Sequence, residues 1–142
     1  QRWVNDKKFD GGQLSKEEED LRDFYKRLLN VTIDHKAFMG KWRDIHYFNK
    51  ERTEGYDHRI YSYVRWQDDE KLLVVINFDE EKLYDVNIKI PKDLIDIWGL
   101  NQVSYPLKEL LYQKENTLRI DNEIGSVGIQ LQPLEAVIYK ID

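Results

Sequence analysis

The chain has 142 residues, with 27 Asp and Glu against 22 Lys and Arg for a net charge of -5, 41% hydrophobic and 13% aromatic residues, and no cysteine. A chain of this length buries roughly two-thirds of its unfolded surface, and its apolar content excludes intrinsic disorder, so one domain with a substantial core is expected. The missing cysteines exclude a disulfide scaffold, a thiolate-ligated zinc and a Cys nucleophile, and interspersed charge without a basic stripe argues against a nucleic-acid partner.

Residues 1–13 are polar, with Trp3, Val4 and Phe9 as isolated anchors and Gly11-Gly12 as a breaker pair, an irregular lead-in. A helix is predicted to follow. Ser15 is its N-cap, Glu18 completes a capping box, the acids at 17–20 face the positive end of the helix dipole, and Leu14 is placed as a hydrophobic staple. Leu21, Phe24, Tyr25, Leu28 and Leu29 recur at i, i+3, i+4, i+7 and i+8, the apolar stripe of an amphipathic helix running to about Ile33.

From about Trp42 the period changes to two, and β-branched and aromatic residues dominate. Strands are predicted near 43–48, 59–66, 71–78, 84–90, 107–112, 117–121, 127–132 and 134–141. The expected class is mainly β, an antiparallel β-sandwich of about eight strands of Greek-key type, preceded by one N-terminal amphipathic α-helix. Residues 72–76 are apolar on both faces, as a central strand would be. Val86, Ile88 and Ile90 alternate with Asn87 and Lys89 and stop at Pro91, which places that strand at the surface of a sheet. Residues 67–70 and 79–81 read as hairpin turns, and 50–57 as a longer loop. In the long connection 92–106, Leu94, Ile95, Ile97 and Trp98 predict a short helical turn packed inward. No apolar run approaches the roughly 20 residues that span a bilayer, so no membrane partner and no signal peptide are read. The opening Gln1-Arg2-Trp3, with the only methionine at Met39, reads as a piece of a longer protein.

Carboxylates are abundant, and a glycosidase needs two of them roughly 5 to 9.5 Å apart. The acid clusters Asp68-Asp69-Glu70 and Asp79-Glu80-Glu81 nevertheless fall in predicted turns, where solvated acids aid solubility and limit edge pairing. No catalytic residue is assigned. His35, His46 and His58 lack a chelating partner at i+2 or i+4, so neither metal nor cofactor is expected; His58 beside Asp57 is either a pH-sensitive loop pair or ordinary surface. Gly11-Gly12 is not read as a phosphate loop, because no strand precedes it and the acids at 17–20 would repel an anion. Asn30-Val31-Thr32 fits the N-glycosylation pattern but sits at the end of a packed helix. The aromatic residues hold the open question. Along 59–66, Ile60, Ser62, Val64 and Trp66 share one face while Tyr61, Tyr63 and Arg65 share the other. Trp66, Trp98 and Tyr56 are the candidate carbohydrate-stacking residues, with core or inter-domain packing as the rival role.

The helix carries a resemblance. Trp3-Val4-Asn5-Asp6-Lys7-Lys8-Phe9-Asp10-Gly11-Gly12-Gln13-Leu14, followed by LRDFYKRLLN from Leu21, resembles the end of the catalytic barrel in the alpha-amylase family of glycoside hydrolases, where a last helix leads into a C-terminal β-domain. Later pieces follow in the same order: Gly40-Lys41-Trp42-Arg43-Asp44, Tyr61-Ser62-Tyr63-Val64-Arg65, Leu73-Val74-Val75-Ile76-Asn77-Phe78 and Gln132-Pro133-Leu134-Glu135-Ala136-Val137-Ile138-Tyr139. Residues 32–38 depart from the pattern, since the family commonly has a basic residue and a Pro before the Ala.

The resemblance implies that residues 1–34 close a (β/α)8 barrel and that 35–142 form the C-terminal β-sandwich domain. The catalytic carboxylates of such a barrel lie at its strand ends, upstream of Gln1, so none is carried onto this chain. The implied role is a non-catalytic domain of an enzyme acting on α-glucans such as starch and maltooligosaccharides, supporting its own upstream barrel. A carbohydrate-binding module holding α-glucan through exposed aromatics is the alternative, and an interaction domain unrelated to carbohydrate a third. Leu21, Phe24, Tyr25 and Leu28 are the candidate domain-interface residues; left uncovered, that stripe would lead the fragment to self-associate. Analogy with starch-degrading enzymes favours a periplasmic or secreted location.

Overall fold

The alternating pattern that begins at Trp42 becomes one continuous eight-stranded antiparallel sheet. The computed structural model describes residues 15–142, apart from the side chains of Leu21 and Tyr25. Its elements run α1 (Lys16–Asp34), a 3-10 turn (Lys36–Met39), β1 (Lys41–Asp44), α2 (His46–Arg52), β2 (Ile60–Gln67), β3 (Glu70–Asn77), β4 (Tyr84–Ile90), α3 (Lys92–Ile97), β5 (Ser104–Glu109), β6 (Glu115–Asp121), β7 (Ile124–Leu131) and β8 (Ala136–Ile141). One compact unit ends at Asp34 and a second runs from His35 to Asp142.

In α1 the predicted cap is present: the Glu18 backbone N–H donates to Ser15 Oγ at 3.2 Å and the Ser15 hydroxyl to Glu18 Oε1 at 3.1 Å. The helix is further held by a Lys16–Asp20 pair one turn apart and by the Arg27 guanidinium over the Phe24 ring. The lead-in anchors Trp3, Val4, Phe9 and Gly11-Gly12, the staple Leu14 and the side chains of Leu21 and Tyr25 lie outside the described residues.

The strand order is β1-β2-β3-β8-β5-β6-β7-β4. Strands β5, β6 and β7 are a meander with β8 returned beside β5, the spatial order of a Greek key, so the predicted class holds. The sheet curls until its two halves share one core. Ile60, Val64 and Trp66 of β2 and Leu73 and Val75 of β3 meet Tyr84, Val86, Ile88 and Ile90 of β4 and Val127, Ile129 and Leu131 of β7. Strand β3 is central, between β2 and β8, with Leu72 and Val74 of its other face also buried. Strand β4 is terminal in the order, as its wet face and closing Pro91 predict.

Four local expectations need correction. The first strand ends at Asp44 instead of continuing to 48, and 46–52 is a helix. The cause is Asp44, whose Oδ1 accepts the His46 backbone N–H at 2.5 Å and turns the chain out of the ladder. The strand expected over 107–112 ends at Glu109, because the Glu109 carboxylate captures the Tyr112 backbone N–H and closes a turn. Residues 79–81 lie in no hairpin: β3 pairs with β2 and β8, β4 with β7, so this connection crosses between the halves of the sheet. Asp79 shapes it by accepting the backbone N–H groups of Glu81 and Lys82. In α3, Leu94 and Ile95 pack inward as predicted, but Ile97 is exposed. The 67–70 hairpin is present, with Gln67 opposite Glu70 and Asp68 at φ +55° in its two-residue turn.

Gly40 has no room for a side chain: a Cβ there would lie 2.1 Å from the Trp66 carbonyl oxygen. No side-chain motion relieves a clash with backbone. Gly40→Ala is expected to pry β1 from β2 and to cost about 2–4 kcal/mol, read from urea midpoints, with amide exchange of residues 41–44 raised ahead of the rest of the sheet.

Candidate functional site

The three rings expected to stack on sugar are all inside. Tyr56 is 7%, Trp66 8% and Trp98 9% exposed, and each belongs to the core cluster. Trp66 and Trp98 meet edge to face with centroids 5.8 Å apart, at the floor of an open cleft of about 730 Å³ whose rim carries Lys41, Gln67, Asp68, Asp69 and Lys71. Tyr56 sits elsewhere. Its hydroxyl is 2.9 Å from Ser62 Oγ and 2.9 Å from His46 Nδ1, tying the end of the 50–57 segment to β2. All three take part in core packing, and β2 turns Trp66 to the same inward face as Ile60 and Val64.

A second group of rings lies on the opposite face of β1 and β2 and at the start of α2. The period-two alternation sends Tyr61, Tyr63 and Arg65 outward, and Trp42 of β1 stands opposite Arg65 in the register, beside Tyr63. Trp42 and Tyr63 have centroids 6.4 Å apart, Tyr63 and Tyr61 5.6 Å, and Tyr61 and His46 5.7 Å, with Tyr47 edge-on to His46. The result is a continuous aromatic strip. Trp42 is 52% and Tyr47 68% exposed, while Tyr61 and Tyr63 are half-buried. The grouping of Tyr61 with Tyr63 is visible in the alternation; Trp42, His46 and Tyr47 join it only through the β1–β2 register and the turn at Asp44. Of the flanking polar groups, Arg65 Nη2 donates to the Gly40 carbonyl at 3.1 Å while its buried Nε has no hydrogen-bond partner among the described residues, and Asp44 accepts from the His46 backbone N–H.

Of the other candidates, His58 lies near Asp57, whose carboxylate accepts from the Tyr84 hydroxyl at 2.8 and 2.9 Å and from the Arg59 backbone N–H. Burial pushes the Asp57 carboxyl up, but the Arg59 and Tyr84 hydrogen bonds and Lys82 outweigh it and leave it below the usual range. Burial, with the Asp57 bond added, pushes the Tyr84 phenol up to about 12; burial, partly offset by Ser62, does the same to Tyr56. A raised phenol stays protonated in the folded chain while the unfolded chain ionises near its ordinary value of about 10. This stability is fully present below about pH 10 and is lost as pH rises towards about 12. Urea midpoints are therefore expected to fall over that interval, with the drop reduced in Tyr56→Phe. Among the described residues, no group of three or more His, Cys, Asp or Glu is placed to hold a metal ion, and no helix is long and apolar enough to cross a membrane.

A Greek-key β unit preceded in sequence by a helix, with one set of aromatics packed in the core and another on the β1–β2 pair, defines the class as an all-β domain. The particular family is clear from sequence: the chain belongs to the alpha-amylase C-terminal all-beta domain family, whose model, described as "Alpha amylase, C-terminal all-beta domain", matches residues 51–142. The resemblance drawn from the motifs is thereby borne out. No curated protein matches the chain. Among solved structures, AmyP in complex with maltose matches with TM-score 0.64 at 20% identity over 94% of this chain and 23% of that one. The AmyP E221Q variant in complex with maltotriose gives 0.63 at 18% over 95% and 24%, and an Anoxybacillus alpha-amylase 0.56 at 15% over 86% and 22%. At these identities the likeness is one of fold. The chain spans about a quarter of the length of each of these proteins.

Proposed function

We propose that this chain serves as the non-catalytic C-terminal domain of a glycoside hydrolase acting on α-glucans, where it supports an upstream catalytic barrel. The family match over residues 51–142 carries the reading. The α-glucan assignment is supported by the maltose and maltotriose complexes of AmyP, with which nearly the whole chain aligns. Residues 1–34 are assigned to the close of the barrel and 35–142 to the β domain, a division supported by the separation of two compact units between Asp34 and His35. Leu21, Phe24, Tyr25 and Leu28, which recur at helical spacing in the sequence, are assigned to the contact with the barrel. For the binding-module alternative, Trp66, Trp98 and Tyr56 keep less than a tenth of their surface exposed, which leaves Trp42 and Tyr47 as the exposed rings it would use.

The chain alone and the same chain extended through its upstream region are to be assayed on starch, maltooligosaccharides and a chromogenic maltoside. Turnover is expected only from the extended protein. Turnover by the 142-residue chain overturns the non-catalytic assignment; an extended protein that cleaves other glycosides but no α-glucan overturns the substrate assignment. The chain alone is expected to migrate unretarded through amylopectin gels.

A further inference from the structure

The second compact unit begins at His35, and its first turn is fastened to the β2–β3 hairpin through side chains. The backbone bonds that Phe38 N–H makes to the His35 carbonyl and Gly40 N–H to the Ala37 carbonyl stay within the turn. Glu70 makes the attachment: its Oε1 accepts the Ala37 backbone N–H at 3.0 Å and its Oε2 faces His35 Nδ1 at 3.3 Å. Ala37 is fully buried, so its N–H depends on that carboxylate. The side chains of His35 and Glu70 keep 20% and 12% of their surface, whereas those of Lys36, Asp68 and Asp69, which pair beside them at 3.3 and 3.7 Å, keep about half or more. Water screens the lysine pairs and leaves the histidine pair as the stronger contact.

We propose that the His35–Glu70 pair is a pH-sensitive clasp at the entry of the β unit, tight where the imidazole is a cation and loosened where it is neutral. A carboxylate only accepts hydrogen bonds, so His35 Nδ1 carries the proton of this contact in either charge state. Protonation of the other ring nitrogen turns a neutral donor into a charge-assisted one, the stronger kind, in a setting largely shielded from water. Histidine is the side chain that changes charge between pH 5 and 8, well below the interval in which Tyr56 and Tyr84 respond. A histidine that gains a carboxylate partner on folding adds stability on the acid side, and this is lost as pH rises. The other charges around the pair have partners of their own. Lys36, next in the chain, pairs with Asp69 and Asp68 of the hairpin; Lys71 Nζ of β3 donates to the Asp69 carbonyl at 2.8 Å; and Arg65 of β2 donates to the Gly40 carbonyl at 3.1 Å. From β8, Lys140 and the following Asp142 bring one charge of each sign to the cleft that Glu70 lines, and Asp34 precedes His35 in the chain. With the clasp open, residues 35–39 lengthen the free chain ahead of β1 by at most about 17 Å. The device sets how tightly the chain is held between Asp34 and the sheet, and it is independent of the substrate on which the whole protein acts.

The test is amide hydrogen exchange of the 142-residue chain, followed by NMR at about pH 6 and pH 8, with each rate corrected for the intrinsic chemistry of exchange. The Ala37 N–H, which donates to Glu70, is expected to be protected about fivefold more at the lower pH, while the amides of the central strand β3 keep one level of protection at both. In His35→Gln, which keeps a donor and carries no charge, Ala37 is expected to be equally protected at the two pH values. Glu70→Gln removes the anion, so it is expected to abolish the difference and to lower Ala37 protection at both. In each variant the β3 amides report that the sheet is intact. Equal protection of Ala37 at the two pH values in the unsubstituted chain overturns the proposal, and that comparison needs no variant to fold. A difference that survives in His35→Gln assigns the effect to another group and overturns it too, as does a difference shared equally by β3, which would be a change in the stability of the whole unit.

Discussion

Replacing Asn49 by leucine is expected to lower the unfolding free energy by about 3–4 kcal/mol and to make the protein self-associate. Asn49 is fully buried on α2 and uses every hydrogen-bonding position of its amide. Its Nδ2 donates to the carbonyls of Ile45 at 2.9 Å and Lys89 at 3.0 Å, and its Oδ1 accepts the Lys89 backbone N–H and the Thr53 hydroxyl, both at 2.7 Å. Lys89 lies on β4, the terminal strand, so the amide supplies the donor and acceptor that a ninth strand would otherwise supply. Thr53 adds a longer bond to the Asn87 carbonyl. Leucine fills the space and makes none of these bonds, leaving unpaired groups on an edge strand that then offers itself to another chain. Urea denaturation gives the energy and sedimentation the association. The neighbouring exposed Lys50→Ala serves as control, with a change within about 0.5 kcal/mol. A monomeric Asn49→Leu variant of unaltered stability would show that the amide does not protect the edge.

A comparable loss is expected at Glu109, the one fully buried carboxylate among the described residues. It sits where β5 ends, and its side chain takes over from the ladder. Oε2 accepts the Ile138 backbone N–H of β8 at 2.8 Å, Oε1 accepts the Tyr112 N–H, and the Leu110 N–H reaches the Ile138 carbonyl at 2.8 Å. One acid thereby fastens the 110–114 turn and the middle of β8. Glutamine keeps one acceptor and turns an amide N–H towards the other donor; leucine orphans both. The expected losses are about 2 kcal/mol for Glu109→Gln and about 4 for Glu109→Leu, read as shifts in urea midpoint. Equal losses in the two variants would mean that packing, and not the paired acceptors, sets the cost.

Both residues show where reading the chain stops. Asn49 stands in a stretch rich in aromatics, where period two is a fair reading, and Glu109 is an acid in an alternating strand like many others. What gives each its role is a partner far along the chain: Lys89, 40 residues on, for one, and Ile138, 29 residues on, for the other. Helix α2 exists for the same reason. Its start depends on the Asp44 side chain and its placement on an edge strand whose position no local pattern states.

Local physics was legible. The Ser15 and Glu18 cap, the two-faced apolar run that became β3, the alternation and terminal proline of β4, and the inward packing of Leu94 and Ile95 in α3 each follow from interactions within a few residues or from one face being buried. The ordered motifs also carried the family, because they report a whole series of such local solutions. The strand order, the crossing at 79–81 and the sorting of aromatics into buried and exposed sets belonged to the tertiary structure. Alternation separates Tyr61 and Tyr63 from Trp66 but does not say which group faces inward; that is decided by the curl of the sheet, which sets β2 and β3 against β4 and β7 and buries whichever rings point between them.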